Sequence, residues 1–197
     1  MITIGIELNH VVRNINKQIL KYYAKAFDPS MEWEEIDDKD DAFKHVKFKS
    51  NYEKSNFIFI DYPFEIFGCA DTVEKKLAVK LTTWLNDISN IEDEDIRIIF
   101  YSLNEEAITI QSTFFFLSKI GTRVRKVIFP KSIEEVWEEC DVVITARDEF
   151  FEKEIPNDKK VVLINRPFNE EYKDKAFLNY DNLSEIISDE EFFKKIK

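Results

Sequence analysis

Glycine is scarce, with 3 in 197 residues. No GxGxxG or P-loop pattern occurs, and so few glycines argue against a phosphate cradled by glycine backbone. Cysteine is almost as rare. Cys69 and Cys140 lie far apart and form no CxxC, which fits a reducing compartment. Neither sits in a nucleophile elbow or beside a recognisable histidine, so thiol catalysis has no support. Basic charge is also in short supply: 28 Lys+Arg against 39 Asp+Glu leave a net charge of −11. Such a surface repels phosphate backbones and anionic lipid, which excludes broad nucleic-acid or membrane partners. No run approaches the ~18 uncharged apolar residues of a membrane helix. The start lacks the basic-then-apolar order of a secretory signal. The expectation is a soluble, intracellular chain.

What is present is core-forming material. Hydrophobic residues make up 44% and aromatics 14%, including 18 Phe, which excludes a disordered chain. The length predicts one domain carrying an insertion, and a chain of this size buries ~70% of its extended surface without disulfides or metals.

Hydrophobic periodicity alternates between strand and helix. Short apolar runs predict five buried strands: Ile2–Ile6, Ile96–Tyr101, Val124–Phe129, Asp141–Thr145 and Val161–Ile164. Helical spacing of Ile15, Ile19, Tyr22, Tyr23, Ala26 and Phe27 predicts a helix stopped by Pro29. Residues 32–41 carry seven carboxylates and one lysine and read as a solvated helix or loop. The run 57–60 (FIFI) reads as a strand or an apolar plug. A second helix, capped by Asp71 or Thr72, carries the stripe Val73, Leu77, Leu81, Trp84, Leu85 and Ile88. An acidic turn spans 92–95. A third helix, capped by Asn104, ends at Gly121; a short acidic one covers 133–140, and a last one begins near Asn182. Strands separated by helices predict an α/β, doubly wound parallel sheet with right-handed crossovers. The stretch from Phe27 to Ile91 is too long for one crossover, so residues 31–70 are expected to form an inserted, mainly helical cap on a core made of 1–30 and 71–197.

Ligands of such sheets bind beyond the carboxyl ends of the strands. The residues there are Glu7, Asn9 and His10; Ser102 and Asn104; Thr145, Ala146, Arg147 and Asp148; and Asn165, Arg166, Phe168 and Asn169, with Lys126 and Lys131 near the third strand. The basic cluster Lys119, Arg123, Arg125, Lys126 and Lys131 reads as a solvated edge or a dock for an acidic partner. His10 reads as filling for the loop after the first strand, and His45 has no sequence partner.

The order of these motifs resembles the haloacid dehalogenase (HAD) phosphatase superfamily, in particular its 5′(3′)-deoxyribonucleotidase branch. Glu7-Leu8-Asn9-His10-Val11 stands where the family has Asp-x-Asp-x-Val/Thr. Ser102 matches its second motif and Lys126 or Lys131 its third, and Thr145 and Ala146 align with its paired aspartates. LINRPFN (163–169) followed by FLNYDNLSEII (177–187) echoes the tail of the branch. The resemblance implies a Rossmannoid three-layer fold with a five-stranded sheet. In the family, the first aspartate forms an aspartyl-phosphate and the second acts as acid and base. Mg²⁺ sits among the carboxylates, and the Ser/Thr and Lys hold the phosphoryl oxygens.

This chain departs from that pattern at the acidic positions. Glu7 pushes its carboxylate out by one methylene, and a ~1 Å misplacement can cost ~100-fold. Asn9 cannot donate a proton, which removes another ~10²–10⁴-fold. Thr145 and Ala146 offer no anionic oxygen to Mg²⁺. No catalytic residue, metal site or cofactor is therefore expected, and Asp148 is the one rescue candidate for a metal; Asp141 precedes its strand and points to the wrong end.

Two classes of function remain, with a third between them. The first is an inactive HAD-like domain kept as a protein-interaction or structural module, in a homo-oligomer or larger assembly. Spare aromatics often anchor interfaces. A Lys-, Ile-, Asn- and Phe-rich composition is associated with AT-rich bacterial or phage genomes, so the expected location is the cytoplasm or a virion. The second is a Mg²⁺-dependent deoxyribonucleotidase using Glu7. The third is a non-hydrolysing nucleotide or phosphate sensor using Ser102 with Lys126 or Lys131.

Overall fold

The computed structural model describes residues 1–37, 39–90, 95–122 and 125–197. Asp38 of the acidic run, residues 92–94 of the expected acidic turn, Arg123 of the basic cluster and Val124 of the expected third strand lie outside the described residues.

The chain alternates as predicted. Strand β1 (Ile2–Glu7) leads to helix α1 (Ile15–Phe27) and the short α2 (Asn51–Asn56); α3 (Leu77–Asn90) precedes β2 (Ile96–Tyr101). Then come α4 (Ala107–Lys119), β3 (Val127–Ile128), α5 (Ile133–Glu139), β4 (Val142–Thr145), β5 (Lys160–Ile164), β6 (Leu178–Tyr180), α6 (Leu183–Ser188) and α7 (Phe192–Ile196). All strand pairs are parallel, in the order β3-β2-β1-β4-β5-β6. The sheet has six strands rather than the expected five. The extra one, β6, is a three-residue edge strand paired with β5, and its half-exposed pattern lacks the continuous apolar run that marks the buried strands.

Side chains alternate across the sheet with period two. Ile4, Ile6, Phe100, Val142, Ile144, Val162 and Ile164 pack on one face with α3, α6 and α7. Ile99, Tyr101, Val143, Val161 and Leu163 pack on the other with Val136 and Trp137 of α5 and Phe150. Both faces are covered, which gives the expected three layers. Gly5 lies where a Cβ would stand 2.5 Å from Cys140 Sγ, so the strand needs glycine for close approach.

A third apolar cluster sits off the sheet. It joins Ile15, Ile19, Leu20 and Tyr23 of α1 to Ala42, Val46, Phe57, Ile66 and Phe67. By packing, α1 thus belongs with the 31–70 segment. The FIFI run is not a strand: it continues α2 as a wide helical turn over Phe57–Asp61. Asp71 and Thr72 do not cap α3. They run extended beside the loop after β1, with Val73 N–H donating to Val12 O at 3.0 Å, and the helix starts at Leu77. Asn104, at φ 60, is not the cap of α4; Glu106 is. Gly121 closes that helix at φ 68, as predicted. Asn182 caps α6 by accepting from Glu185 N–H at 3.0 Å. Among the described residues no helix is long and apolar enough to cross a membrane.

Candidate functional site

The parallel register brings Glu7 level with Tyr101 and sets Thr145 at the end of the neighbouring β4. The first loop then turns tightly. Val12 and Arg13 N–H both donate to Leu8 O, at 3.1 and 2.7 Å, and His10 takes φ 65 at the bend. This turn holds Glu7 at the strand end and throws the Arg13 side chain back inward.

Two ion pairs result, each with a buried carboxylate. In the first, Glu7 is fully buried. Its Oε1 accepts from Arg147 Nε at 2.6 Å, and its Oε2 accepts from Thr145 Oγ1 at 2.6 Å and Ala146 N–H at 3.3 Å. Arg147 also reaches Glu149 at 3.1 Å. Burial pushes the Glu7 carboxyl up from its ordinary value of 4.5, and Arg147, Thr145 and Ala146 pull it back down. Burial alone would lower Arg147, but Glu7 and Glu149 outweigh it and raise the guanidinium further.

In the second pair, Arg13 Nη2 meets Glu105 Oε1 at 2.5 Å, with side chains 0% and 1% exposed. Asn9 Oδ1 accepts from Arg13 Nε and Nη2 at 3.0 and 2.6 Å, and Asn9 Nδ2 donates to Ser102 Oγ at 3.3 Å. Ser102 Oγ donates to Glu105 at 2.6 Å, Arg13 Nη1 donates to Thr113 Oγ1 at 2.6 Å, and Thr113 donates to Glu105. The guanidinium carbon lies 5.0 and 5.5 Å from the ring centroids of Phe67 and Phe116. The network closes on itself, with every charged group paired.

The expected phosphate ligands are therefore differently placed. Ser102 is committed to Asn9 and Glu105. Lys131 Nζ reaches the site's edge and donates to Glu105 O at 2.6 Å. Lys126 is not brought there; it pairs with Glu139 of α5 at 2.5 Å. Asp148 opens a 3₁₀ turn after Arg147 and joins no ligand cluster. Among the described residues, no group of three or more His, Cys, Asp or Glu side chains is placed to hold a metal. Asp141 sits at the amino ends of the strands, accepting from Thr3 N–H at 2.8 Å and Lys159 at 3.1 Å. The donor set does not fit Mg²⁺: the Glu7 and Glu105 carboxylates are each held by a guanidinium, and Thr145 and Ala146 bring no anionic oxygen.

The sequence reading missed Arg13, Glu105 and Thr113. Their one local signal is Ser102-x-x-Glu105, the spacing of a capping box. The tail motif turns out to be a clamp. Arg166 Nη2 donates to His10 O at 2.7 Å, and Asn169 Nδ2 donates to Ala146 O at 2.8 Å and Ile164 O at 3.0 Å. It ties the ends of β1, β4 and β5 together.

His10 packs edge-on to Phe168, with centroids 6.1 Å apart. Burial, and then the charges of Arg147, Arg166 and Arg13, push its imidazole down to about 3 from 6.5. The unfolded chain takes up this proton below 6.5 and the folded chain does not, so stability is lost as pH falls from 6.5 toward 3. From this group the slope approaches ~1.4 kcal/mol per pH unit. His10→Asn, which tolerates the left-handed backbone, is expected to show a shallower loss than the native chain in urea titrations at pH 7, 6 and 5. Parallel pH profiles would remove His10 as a source of acid sensitivity.

The hollow beside His10, Asn14, Lys39, Glu74 and Arg166 measures about 70 Å³, well below the ~300–1,000 Å³ of small-molecule pockets. A larger one of about 320 Å³ is bordered by Lys17 and by Glu34, Glu35 and Asp37, whose excess negative charge disfavours phosphate.

No protein-family model matches the chain, and no curated protein is detectably similar to it in sequence. Among solved structures, it is similar to a protein of Burkholderia xenovorans LB400 assigned as a haloacid dehalogenase-like hydrolase. The TM-score is 0.56 and the identity 9%, over 100% of this chain and 98% of that one. At that identity the likeness carries the fold alone: the chain has a haloacid dehalogenase-like α/β fold.

Proposed function

We propose that this chain is a catalytically silent HAD-like domain, related to the 5′(3′)-deoxyribonucleotidase branch and retained as a protein-interaction or structural module. One observation carries the reading: Arg147 Nε lies 2.6 Å from the Glu7 carboxylate, so a fixed cation of the chain itself already neutralises it. The second acidic position is Asn9, spent on Arg13, and the third and fourth are Thr145 and Ala146. Residues 31–70, together with α1, are what this reading retains of the cap. Its partners are proteins rather than nucleic acid or membrane, in the cytoplasm or in a particle. The test is hydrolysis of deoxynucleoside monophosphates with Mg²⁺ by the native chain and by Glu7→Gln. The expected result is background release from both. Turnover that depends on Glu7 would overturn the reading in favour of an active nucleotidase.

A further inference from the structure

Helix α4 is unusual for this chain. Over thirteen residues it holds one charge, Lys119 at its end, whereas the outward faces of α1 and α3 carry Lys17, Lys21 and Lys25, and Lys80 and Asp87. Its inner face is spent on Thr109, Thr113, Phe116 and Leu117. Its outer face shows Ile108, Phe114 and Phe115, which are 51%, 52% and 45% exposed, and Phe64, 45% exposed, extends the patch with its ring 4.8 Å from that of Phe115. About half of each side chain is open, which amounts to roughly 400 Å² of apolar surface along this side of the helix, with exposed Gln111 between Ile108 and Phe115. That equals the largest patch of a typical monomer, and such patches are often functional.

We infer that this face of α4 is a homodimer interface, in which two copies pack antiparallel about a twofold axis near Gln111. Two observations favour a second copy as the occupant, set against the general repulsion between chains of net charge −11, to which this uncharged face adds nothing. The two ends of α4 have opposite charge. Exposed Glu106 stands at the amino end, while Lys119 at the carboxyl end is anchored on Cys69 O and Ala70 O at 3.1 and 2.5 Å. Antiparallel pairing sets each Glu106 beside the second copy's Lys119 and aligns the helix dipoles favourably. Twofold symmetry doubles the patch to roughly 800 Å², and a polar rim brings it into the ~1,200–2,000 Å² range of stable interfaces.

This supplies a partner for the proposed interaction role and rests on that reading only for its purpose. A monomer without hydrolase activity would end the dimer and leave the silent-domain reading; a dimer with Glu7-dependent turnover would do the reverse. The experiment is sedimentation velocity of the full chain at micromolar concentration, alongside Ile108→Glu and Phe115→Glu. These variants alter exposed side chains, and circular dichroism checks their fold. The expected result is a native dimer that either substitution weakens at least about tenfold. In addition, Gln111→Cys is expected to form a reductant-sensitive dimer that the native Cys69 and Cys140 do not form. A monomer at these concentrations overturns the inference, as does a dimer indifferent to both substitutions or a Gln111→Cys chain that does not cross-link.

Discussion

Glu105→Ala is expected to lower the free energy of unfolding by about 3–5 kcal/mol at neutral pH, because it leaves a guanidinium buried without its counter-ion. Arg13 is fully buried, and a guanidinium cannot escape by losing its proton. The same truncation strips Ser102 and Thr113 of the carboxylate they donate to, at 2.6 Å and 2.7–2.8 Å. For a domain of this length the loss translates into a fall in Tm of roughly 10 °C. Arg13→Met/Glu105→Leu removes both charges and is expected to be less destabilised than the sum of Arg13→Met and Glu105→Leu. Asn9 Oδ1, Thr113 Oγ1 and Phe67 O then lose the partners the pair supplied, and Ser102 keeps only Asn9, so recovery stays incomplete. Urea denaturation of the four chains closes the cycle. A Glu105→Ala chain within 1 kcal/mol of native would mean that water reaches this pair, and the site would then be an open crevice rather than a sealed one.

That sealing was the least legible part of the sequence. Strands β1, β2, β4 and β5 are buried on both faces, so each reads as an apolar run between turn signals. The edge strands are less legible: β3, expected over Val124–Phe129, pairs through Val127 and Ile128, and β6, which no apolar run announces, pairs through three residues. FIFI is apolar without a period, and such a run cannot be told from a buried helical turn. Glu7, Asn9, Ser102, Thr145 and Ala146 were found because strand ends can be located from pattern alone. What those residues touch was out of reach. Arg13 and Glu105 are 92 positions apart and Glu7 and Arg147 are 140 apart, and no local spacing announces such pairs. Arg147 was in view as a residue beyond β4, yet its role follows only from the register that sets Glu7 beside Thr145. The tail Arg166-Pro167-Phe168-Asn169 was read for its family likeness, whereas its polar side chains serve the fold by closing three strand ends.

Arg147→Met separates the structural role of the first ion pair from any role in suppressing chemistry. The Glu7 carboxyl is already pushed up by burial, and Arg147 is the largest influence drawing it down. Without the guanidinium, its folded-state value climbs further above the unfolded 4.5, so the folded chain holds a proton that the unfolded chain has released. Stability then falls as pH rises from about 4.5 toward the folded value, by up to ~1.4 kcal/mol per unit. The variant is expected to lose about 3 kcal/mol relative to the native chain at pH 8 and much less at pH 5. Adding Glu7→Gln should flatten that slope, which thermal melts across the pH range would read directly. Equal losses at both pH values would mean that the methionine disturbs packing and that Glu7 is not the group responding. The same chain assayed with deoxynucleoside monophosphates and Mg²⁺ is expected to stay silent. Freeing one lengthened carboxylate does not create a metal site when Thr145 and Ala146 bring no anionic oxygen and Asn9 no proton. Glu7-dependent turnover in Arg147→Met alone would instead make Arg147 an autoinhibitory plug in an enzyme whose remaining parts are intact. The stability slope and the assay respond to different properties of one substitution, so the pair can be essential to the fold whichever way the chemistry falls.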